Sequence, residues 1–175
     1  LLYRARLSTD SGKAVSYILE ALRLLPETDA GNAALTGNLH SSLGDLYRLR
    51  KEYFPARQHM DKALSVFRRF GLEDTHDFTT VYINYSNFLL QTGSPMEALD
   101  NLLRLERRME DNDFYSVDYM LLEETLLYAC LSLQNVQKAR LTASRLLQLY
   151  DVFYENDPET AAAKKAMVME AFQKA

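Results

Sequence analysis

The chain has 175 residues with a formal net charge of −4 at pH 7; 47% of its residues are hydrophobic and 25% are charged. This composition is typical of a globular protein and excludes wholesale disorder, while the acidic balance disfavours direct nucleic-acid binding along the chain. Six glycines and four prolines are too few for a fold of many short strands. The single cysteine excludes an internal disulfide and favours a reducing, cytoplasmic environment.

The sequence gives no sign of a membrane-spanning segment. The most apolar stretch, residues 119–133, contains Glu123 and Glu124 and is shorter than the roughly 20 residues that cross a bilayer. We therefore expect no membrane partner. Because the chain opens at Leu1 without a methionine or a recognisable secretory signal, we interpret it as a piece of a longer protein.

Apolar periodicity predicts an all-α fold of nine helices and no strand. In chain order the predicted helices cover about residues 1–8, 12–25, 31–49, 54–69, 76–92, 95–110, 115–133, 136–154 and 158–174. Connectors near 26–29, 71–75 and 110–113 separate one pair of helices from the next. Ser94–Pro95 and Asp157–Pro158 are typical helix starts, since a capping side chain precedes a proline in the first turn.

Four helical segments repeat at nearly constant spacing. They align on Ala14, Ala56, Ala98 and Ala139, which are 42, 42 and 41 residues apart. Steps of four and then three residues remain on one helical face. At those steps every segment again has an apolar residue: Ile18, Met60, Leu102 and Ala143, followed by Ala21, Ala63, Leu105 and Leu146. The chain is therefore predicted to contain four copies of one structural unit.

Each of the last three copies pairs two helices across a short turn. The helix before the aligned alanine also has apolar residues at helical spacing: Leu39, Leu43 and Leu46, then Tyr82, Tyr85 and Leu89, then Leu122, Leu126 and Cys130. The turns near 50–52, 92–94 and 133–135 have about three residues, which predicts antiparallel hairpins. A small alanine at the contact allows the two helix axes to approach closely.

This pattern resembles the tetratricopeptide repeat. The match is best in the second copy, at Leu43, Gly44, Tyr47, Ala56, Met60 and Ala63, and continues in the third at Tyr82, Tyr85, Ser86, Ala98 and Leu102. The fourth copy departs from the family pattern, with Leu127 in place of a small residue and Cys130 in place of an aromatic one. A spacing of 42 exceeds the usual 34 or so. Long repeats of this kind are similar to those of kinesin light chains, cell-polarity scaffolds and bacterial signalling and transcription regulators.

The resemblance implies a right-handed α-α superhelix in a single domain over residues 1–175. Its repeats would cover about 1–26, 31–70, 76–110 and 115–154, and a capping helix would cover 158–174. The first helix of each hairpin would line a concave groove that binds a protein or a peptide. The implied groove residues are Asn38, Ser41, Asp45 and Arg48; Thr80, Asn84, Asn87 and Gln91; and Leu121, Glu124, Thr125 and Tyr128.

Two of these predicted groove residues stand out, because the amides of Asn84 and Asn87 could donate to and accept from an extended peptide backbone. A clamp for a C-terminal carboxylate is disfavoured. Such a clamp needs cationic side chains beside the asparagines. Arg48 is the one groove cation that we can place from the sequence, and it lies close to Asp45.

The residues show no constellation typical of catalysis or of metal binding. His40, His59 and His76 lie on different predicted helices, and no pair of them has the spacing of a metal site. Cys130 lies on an apolar face and is predicted to be a buried, inert thiol. No pair of carboxylates is singled out by an apolar setting that would separate an acid from a base. We therefore expect neither an enzyme nor a cofactor.

Two further surfaces are candidates for contact with other molecules. Four tyrosines could cover an interface, where aromatic residues are enriched; they are Tyr115, Tyr119, Tyr150 and Tyr154. The last helix has Ala162, Ala166, Met169 and Phe172 at steps of four and three residues. This predicted apolar face either caps the repeat array or forms a dimer seam or a link to another domain.

These observations favour a non-enzymatic protein-interaction module that acts as the regulatory or sensor arm of a larger cytoplasmic signalling protein. One alternative is the arm of a transcription regulator or signalling-peptide receptor whose output domain lies outside this chain. Another is a structural scaffold that forms homo-oligomers through exposed helix faces.

Overall fold

A computed structural model of the protein describes residues 11–25, 29–111 and 116–173, and these residues contain eight α-helices, one short 3-10 helix and no strand. The 3-10 helix is Ala30–Asn32. The α-helices are α1 (Ser11–Leu24), α2 (Ala33–Leu49), α3 (Tyr53–Arg69), α4 (His76–Gln91), α5 (Pro95–Asp111), α6 (Val117–Ser132), α7 (Val136–Phe153) and α8 (Pro158–Gln173).

The prediction of an all-α fold is confirmed for these residues, and eight of the nine predicted helices are observed within about two residues of their expected ends. The predicted helix 1–8 lies outside the described residues, as do most of the connector 26–29 and Tyr115. Within the described segments, no helix combines the length and the apolarity that crossing a bilayer requires.

The chain divides into two compact units, and the division falls between Asn84 and Tyr85 within α4. In the first unit α1 packs against α2, and α2 packs against α3. In the second unit α6 packs against α5 and α7, and α8 packs against α7. The single domain predicted for residues 1–175 stays a prediction.

All twelve repeat positions are buried, which confirms the alignment on the four alanines. Each has a relative exposure of 9% or less: Ala14, Ile18, Ala21, Ala56, Met60, Ala63, Ala98, Leu102, Leu105, Ala139, Ala143 and Leu146. These residues form the packed faces of α1, α3, α5 and α7. The face predicted for the partner helices is also buried, except at Leu46, which is half-buried.

Helices α2 and α3 approach so closely that two positions of α2 require glycine. A Cβ atom added to Gly37 would lie 2.3 Å from Cε2 of the buried Phe67, and one added to Gly44 would lie 2.5 Å from Cγ of Met60. The positions equivalent to Gly44 in the next two repeats are occupied by Ser86 and Leu127, which are both buried. The tight contact through glycine is therefore specific to this hairpin.

The turns inside the three hairpins share one geometry. In each, a residue with positive φ ends the first helix, and the next N–H donates to a carbonyl five residues back, as in a Schellman motif. The positive-φ residues are Lys51 (φ 61°), Gly93 (φ 82°) and Gln134 (φ 54°). The closing bonds run from Glu52 to Tyr47 (2.9 Å), from Ser94 to Leu89 (2.8 Å) and from Asn135 to Cys130 (2.8 Å).

Helix α8 begins as predicted but buries a different face. The N–H of Thr160 donates to Oδ1 of Asp157 at 3.1 Å, which confirms the expected cap. Of the four residues on the predicted apolar face, Ala162, Ala166 and Met169 are exposed and Phe172 is half-buried, so this face does not form the packed side of a cap. Ala161 and Val168 are buried instead, and the role of the predicted face as a dimer seam or a link to another domain stays a prediction. Because residues 161, 162 and 163 are all alanine, adjacent faces of α8 have similar apolar spacing. Periodicity alone therefore does not identify which face is buried.

Candidate functional site

The predicted groove residues lie on α2, α4 and α6, the first helices of the three hairpins. On α2, Asn38, Asp45 and Arg48 are half-buried, and Nε of Arg48 lies 3.3 Å from Oδ1 of Asp45. The proximity of Arg48 to Asp45 was expected from the sequence, and the structure shows that the two side chains form an ion pair. The binding role of these residues stays a prediction.

On α4, Asn84 and Asn87 are both half-buried and lie one turn apart, and Gln91 is exposed near the end of the helix. The two amides therefore occupy neighbouring positions on one helix, as predicted. Their role as ligands of a peptide backbone is not tested by this placement.

Two residues placed on the groove face from the sequence are instead buried: Ser41 on α2 and Thr125 on α6. The hydroxyl of Thr125 donates to the carbonyl of Leu121 at 3.0 Å, so it is satisfied within its own helix. Small hydroxyl residues fit at helix contacts when the carbonyl one turn back accepts their proton. Periodicity does not distinguish them from exposed polar residues.

Helix α6 carries a row of exposed apolar side chains on one face. Val117, Leu121 and Tyr128 have relative exposures of 52%, 40% and 51%. Their spacings of four and seven residues place them on the same side of the helix. We call these three residues the α6 row. An apolar row on a helix that is buried on its other sides is typical of an interaction surface.

A cleft between α6, α7 and α8 adjoins this row. Leu127, Leu146 and Val168 form its apolar walls, and Tyr128 and Met167 are exposed beside it. The cleft and the α6 row share Tyr128, so they form one continuous surface of the second unit.

Glu124 and its partners supply the polar part of this cleft. The carboxylate accepts from the hydroxyl of Tyr150 at 2.8 Å and from Nζ of Lys164 at 2.9 Å. Burial and the bond to Glu124 raise the pKa of Tyr150, and the same carboxylate raises the pKa of Lys164. Glu124 therefore fixes α8 to α6 and is not simply a free groove carboxylate.

A partly buried cluster of charged residues joins α5, α6 and α7, with Glu106 and Glu123 buried and Glu110 at its exposed edge. Nη1 of Arg145 lies 2.6 Å from Oε1 of Glu106, 2.8 Å from Oε1 of Glu110 and 3.2 Å from Oε1 of Glu123. Nζ of Lys138 contacts both carboxylate oxygens of Glu106, at 2.6 and 2.7 Å. With Tyr119, whose hydroxyl lies 3.0 Å from the same Nη1, these residues form what we call the ion cluster.

Glu123 is the most strongly perturbed member of the ion cluster. It has 0% exposure, and its Oε2 has no hydrogen-bond partner. Burial, followed by the negative charge of Glu106, raises the pKa of Glu123 to about 7, although Tyr119 and Arg145 oppose this shift. The sequence singled out no carboxylate pair, whereas the structure brings the buried Glu106 and Glu123 together beside Arg145 and Lys138.

The sequence offered one signal for this cluster. Glu123 lies inside the most apolar stretch of the chain, where a charged residue is costly unless it has partners. Those partners are far from it in sequence, since Glu106 precedes it by 17 residues and Arg145 follows it by 22. Pairing across three helices is therefore a property of the packed structure. The ion pairs of this cluster connect α5, α6 and α7.

The tyrosines predicted to cover an interface have internal roles where the structure describes them. Tyr119 and Tyr150 are buried, and Tyr154 is half-buried. Burial raises the pKa of the Tyr119 hydroxyl well above its usual value. The interface role is therefore wrong for Tyr119 and Tyr150, because both rings are buried and their hydroxyls donate to Glu110 and Glu124 within the second unit.

Cys130 and the histidines complete the potentially reactive groups. Cys130 is fully buried, as predicted, and burial raises its pKa to about 11, which favours the unreactive thiol form. His40 and His59, although distant in sequence, have their Nδ1 atoms 3.0 Å apart, and burial lowers the pKa of His59. The described residues contain no group of three or more potential metal ligands.

A scan against protein-family models finds no match to this chain, and searches of curated proteins and of solved structures find no significant match either. The assignment of function therefore depends on the surfaces described above.

Proposed function

We propose that this chain is a non-enzymatic helical-repeat module that binds a protein or a peptide on the exposed faces of its first helices. We propose further that it has the tetratricopeptide-like superhelix that its repeat pattern resembles, and that it serves as a regulatory or sensor arm of a larger cytoplasmic signalling protein. The proposal is supported by the twelve buried repeat positions and by the common geometry of the three hairpin turns.

The observation that carries the proposal is the α6 row. In a hairpin whose other faces are packed, Val117, Leu121 and Tyr128 remain exposed and lead directly into the cleft beside α8. Apolar side chains at helical spacing, next to an aromatic residue and a polar pair, suit an amphipathic ligand. Glu124 and Lys164 would supply hydrogen-bonding groups at the edge of that contact.

Binding at this surface could be coupled to regulation through α8. The helix buries Ala161 and Val168 against its neighbours and is also held by the ion pair from Lys164 to Glu124. A ligand that favours one placement of α8 over another would shift the population of states toward that placement. The proposed sensor role requires such a difference in affinity.

Selection of a displayed library of short peptides, followed by affinity measurements, tests this proposal. We expect Leu121→Ser and Tyr128→Ala each to weaken the selected peptides by about tenfold or more, the usual effect of truncating an interface anchor. Leu141→Ser on α7 is a matched control, because Leu141 is 49% exposed but is not part of the α6 row.

Affinities that do not change in either α6 variant would contradict binding at the α6 row. The double substitution of Asn84→Ala and Asn87→Ala measures the contribution of α4 separately. Sedimentation of the free chain distinguishes peptide binding from the scaffold alternative, since a homo-oligomer would show a concentration-dependent mass.

A further inference from the structure

His40 on α2 and His59 on α3 meet across the hairpin of the first unit. Their Nδ1 atoms are 3.0 Å apart while their ring centroids are 5.2 Å apart, so the two nitrogens lie between the rings and face each other. With both rings neutral, one Nδ1–H donates to the other Nδ1. Two strong metal-ligating atoms from different helices therefore lie within hydrogen-bond distance of each other.

We propose that His40 and His59 form a bidentate binding site for a late divalent transition-metal ion, Cu²⁺ or Ni²⁺, with solvent completing its coordination. Imidazole nitrogen is a favoured ligand of these ions. The site would be separate from the α6 row, which lies in the second unit.

The separation of the two nitrogens selects the class of ion. Metal–imidazole distances are about 2.0–2.1 Å, so nitrogens 3.0 Å apart subtend about 90–97° at a shared ion. This angle is close to the right angle of tetragonal Cu²⁺ or Ni²⁺ and smaller than the tetrahedral angle that Zn²⁺ prefers. We therefore expect this site to bind Cu²⁺ and Ni²⁺ more tightly than Zn²⁺.

The surrounding contacts hold the two histidines in place. The ring of Tyr47 stacks on His59 with a centroid separation of 5.5 Å and an angle of 9° between the planes. The close contact at Gly44 fixes the spacing of the two helices that carry the ligands. The helices that carry the ligands are therefore fixed in advance, and only the two rings have to reorient when the ion binds.

Both histidines are half-buried, so solvent reaches part of the pair. When the ion binds, the ring that carries its proton on Nδ1 takes the tautomer with that proton on Nε2. Both rings then pivot about their Nδ1 atoms, so that these atoms stay about 3.0 Å apart while their lone pairs are directed at the ion. The proton is redistributed within the neutral ring through solvent, so binding to the neutral pair needs no net proton release.

Isothermal titration calorimetry and electron paramagnetic resonance with Cu²⁺ test the proposal on the untagged chain. We expect one ion per chain at this site, with nitrogen hyperfine structure from two imidazoles. His40→Gln and His59→Gln should each abolish this signal. His76→Gln should retain it, because His76 is the remaining histidine and lies exposed on α4.

The proposal is overturned if the wild type shows no two-imidazole signal, or if that signal persists in a folded His40→Gln or His59→Gln variant. Circular dichroism establishes that each variant is folded. Because loss of either ligand destroys chelation, one folded variant is enough for the test. A Ni²⁺ titration of the same variants gives an independent readout that should follow the Cu²⁺ result.

Discussion

Lys51 and Gln134 show how single residues control the hairpin turns. Both have left-handed backbone conformations, which residues other than glycine rarely adopt. Gly93 occupies the equivalent position in the third repeat. The closing hydrogen bonds are nearly the same length in all three turns. The turn geometry is therefore set by the packing of the two helices and persists when the local residue opposes it.

Replacing Lys51 with glycine should stabilise the protein. Glycine removes the steric cost of positive φ, and we expect the free energy of unfolding to rise by about 0.5–1 kcal/mol in a urea titration. Lys51→Ala is the control, because it removes the side chain but keeps the strain, and it should give no comparable gain.

Gly93→Ala should have the opposite effect, a loss of about 1 kcal/mol. No atom lies within 4 Å of a Cβ built on Gly93, so the change isolates the backbone cost. An unchanged stability in both glycine exchanges would contradict the left-handed turn.

Glu123 makes the stability of the second unit depend on pH. Its pKa is raised to about 7 in the folded protein, from an ordinary value of 4.5. The folded state therefore binds more protons than the unfolded state between these values, and stability from this group is present below pH 4.5 and is lost as pH rises through 7. The cause is the burial of a carboxylate beside Glu106.

Glu123→Gln should remove this contribution. Relative to the wild type, we expect the variant to lose less stability between pH 5 and 8, by roughly 1–3 kcal/mol. Urea titrations across this range measure how the free energy of unfolding of each protein changes with pH. Groups that titrate identically in both proteins cancel when the two profiles are subtracted. Glu155→Gln, at an exposed position, should behave as the wild type. Parallel pH profiles for Glu123→Gln and the wild type would refute the assignment.

At the scale of elements, the contact between α2 and α3 depends on the absence of a side chain at Gly37. Phe67 is fully buried, and three atoms of its ring would lie within 3.0 Å of a Cβ at Gly37. The close approach of these helices brings His40 and His59 together. Small changes of helix spacing would therefore change both the core and the proposed metal site.

Gly37→Ala should cost about 1–3 kcal/mol of stability despite the better helix propensity of alanine, because the added methyl group overpacks the contact. Chemical denaturation measures the loss. Combining Gly37→Ala with Phe67→Leu should recover part of the lost stability, since the smaller leucine side chain leaves room for the added methyl group. The double-mutant cycle measures the coupling free energy between the two positions. Ser42→Ala, exposed on the same helix, should be nearly neutral. Additive effects of the two core substitutions would contradict the contact.

At the scale of the whole molecule, the features that could be predicted from the sequence are those that depend on the spacing of apolar residues. Helix bounds and the twelve buried positions follow from apolar spacing, which each segment carries in its own residues. The face of α8 did not follow, because its alanines occupy several stripes. The ion cluster and the contact of His40 with His59 did not follow either. They join residues that are distant in sequence, and their distances depend on how the helices pack.

The same limit applies to the predicted groove residues. Their positions on α2, α4 and α6 were predictable, but the hydrogen bonds that hold Glu124 to Tyr150 and Lys164 were not. Exposure of the α6 row was predicted in part, since Leu121 and Tyr128 were placed on the groove face and Val117 was not. Binding itself depends on a partner, and periodicity carries no information about one.

The position of Cys130 provides a built-in probe of local opening. It is the single thiol of the chain, it lies fully buried on α6, and its high pKa keeps it protonated. A thiol reagent in solution therefore reacts with molecules in which this part of the core has transiently opened. Labelling kinetics on the unaltered protein would report the opening free energy around α6, and a ligand that stabilises this region would slow the modification.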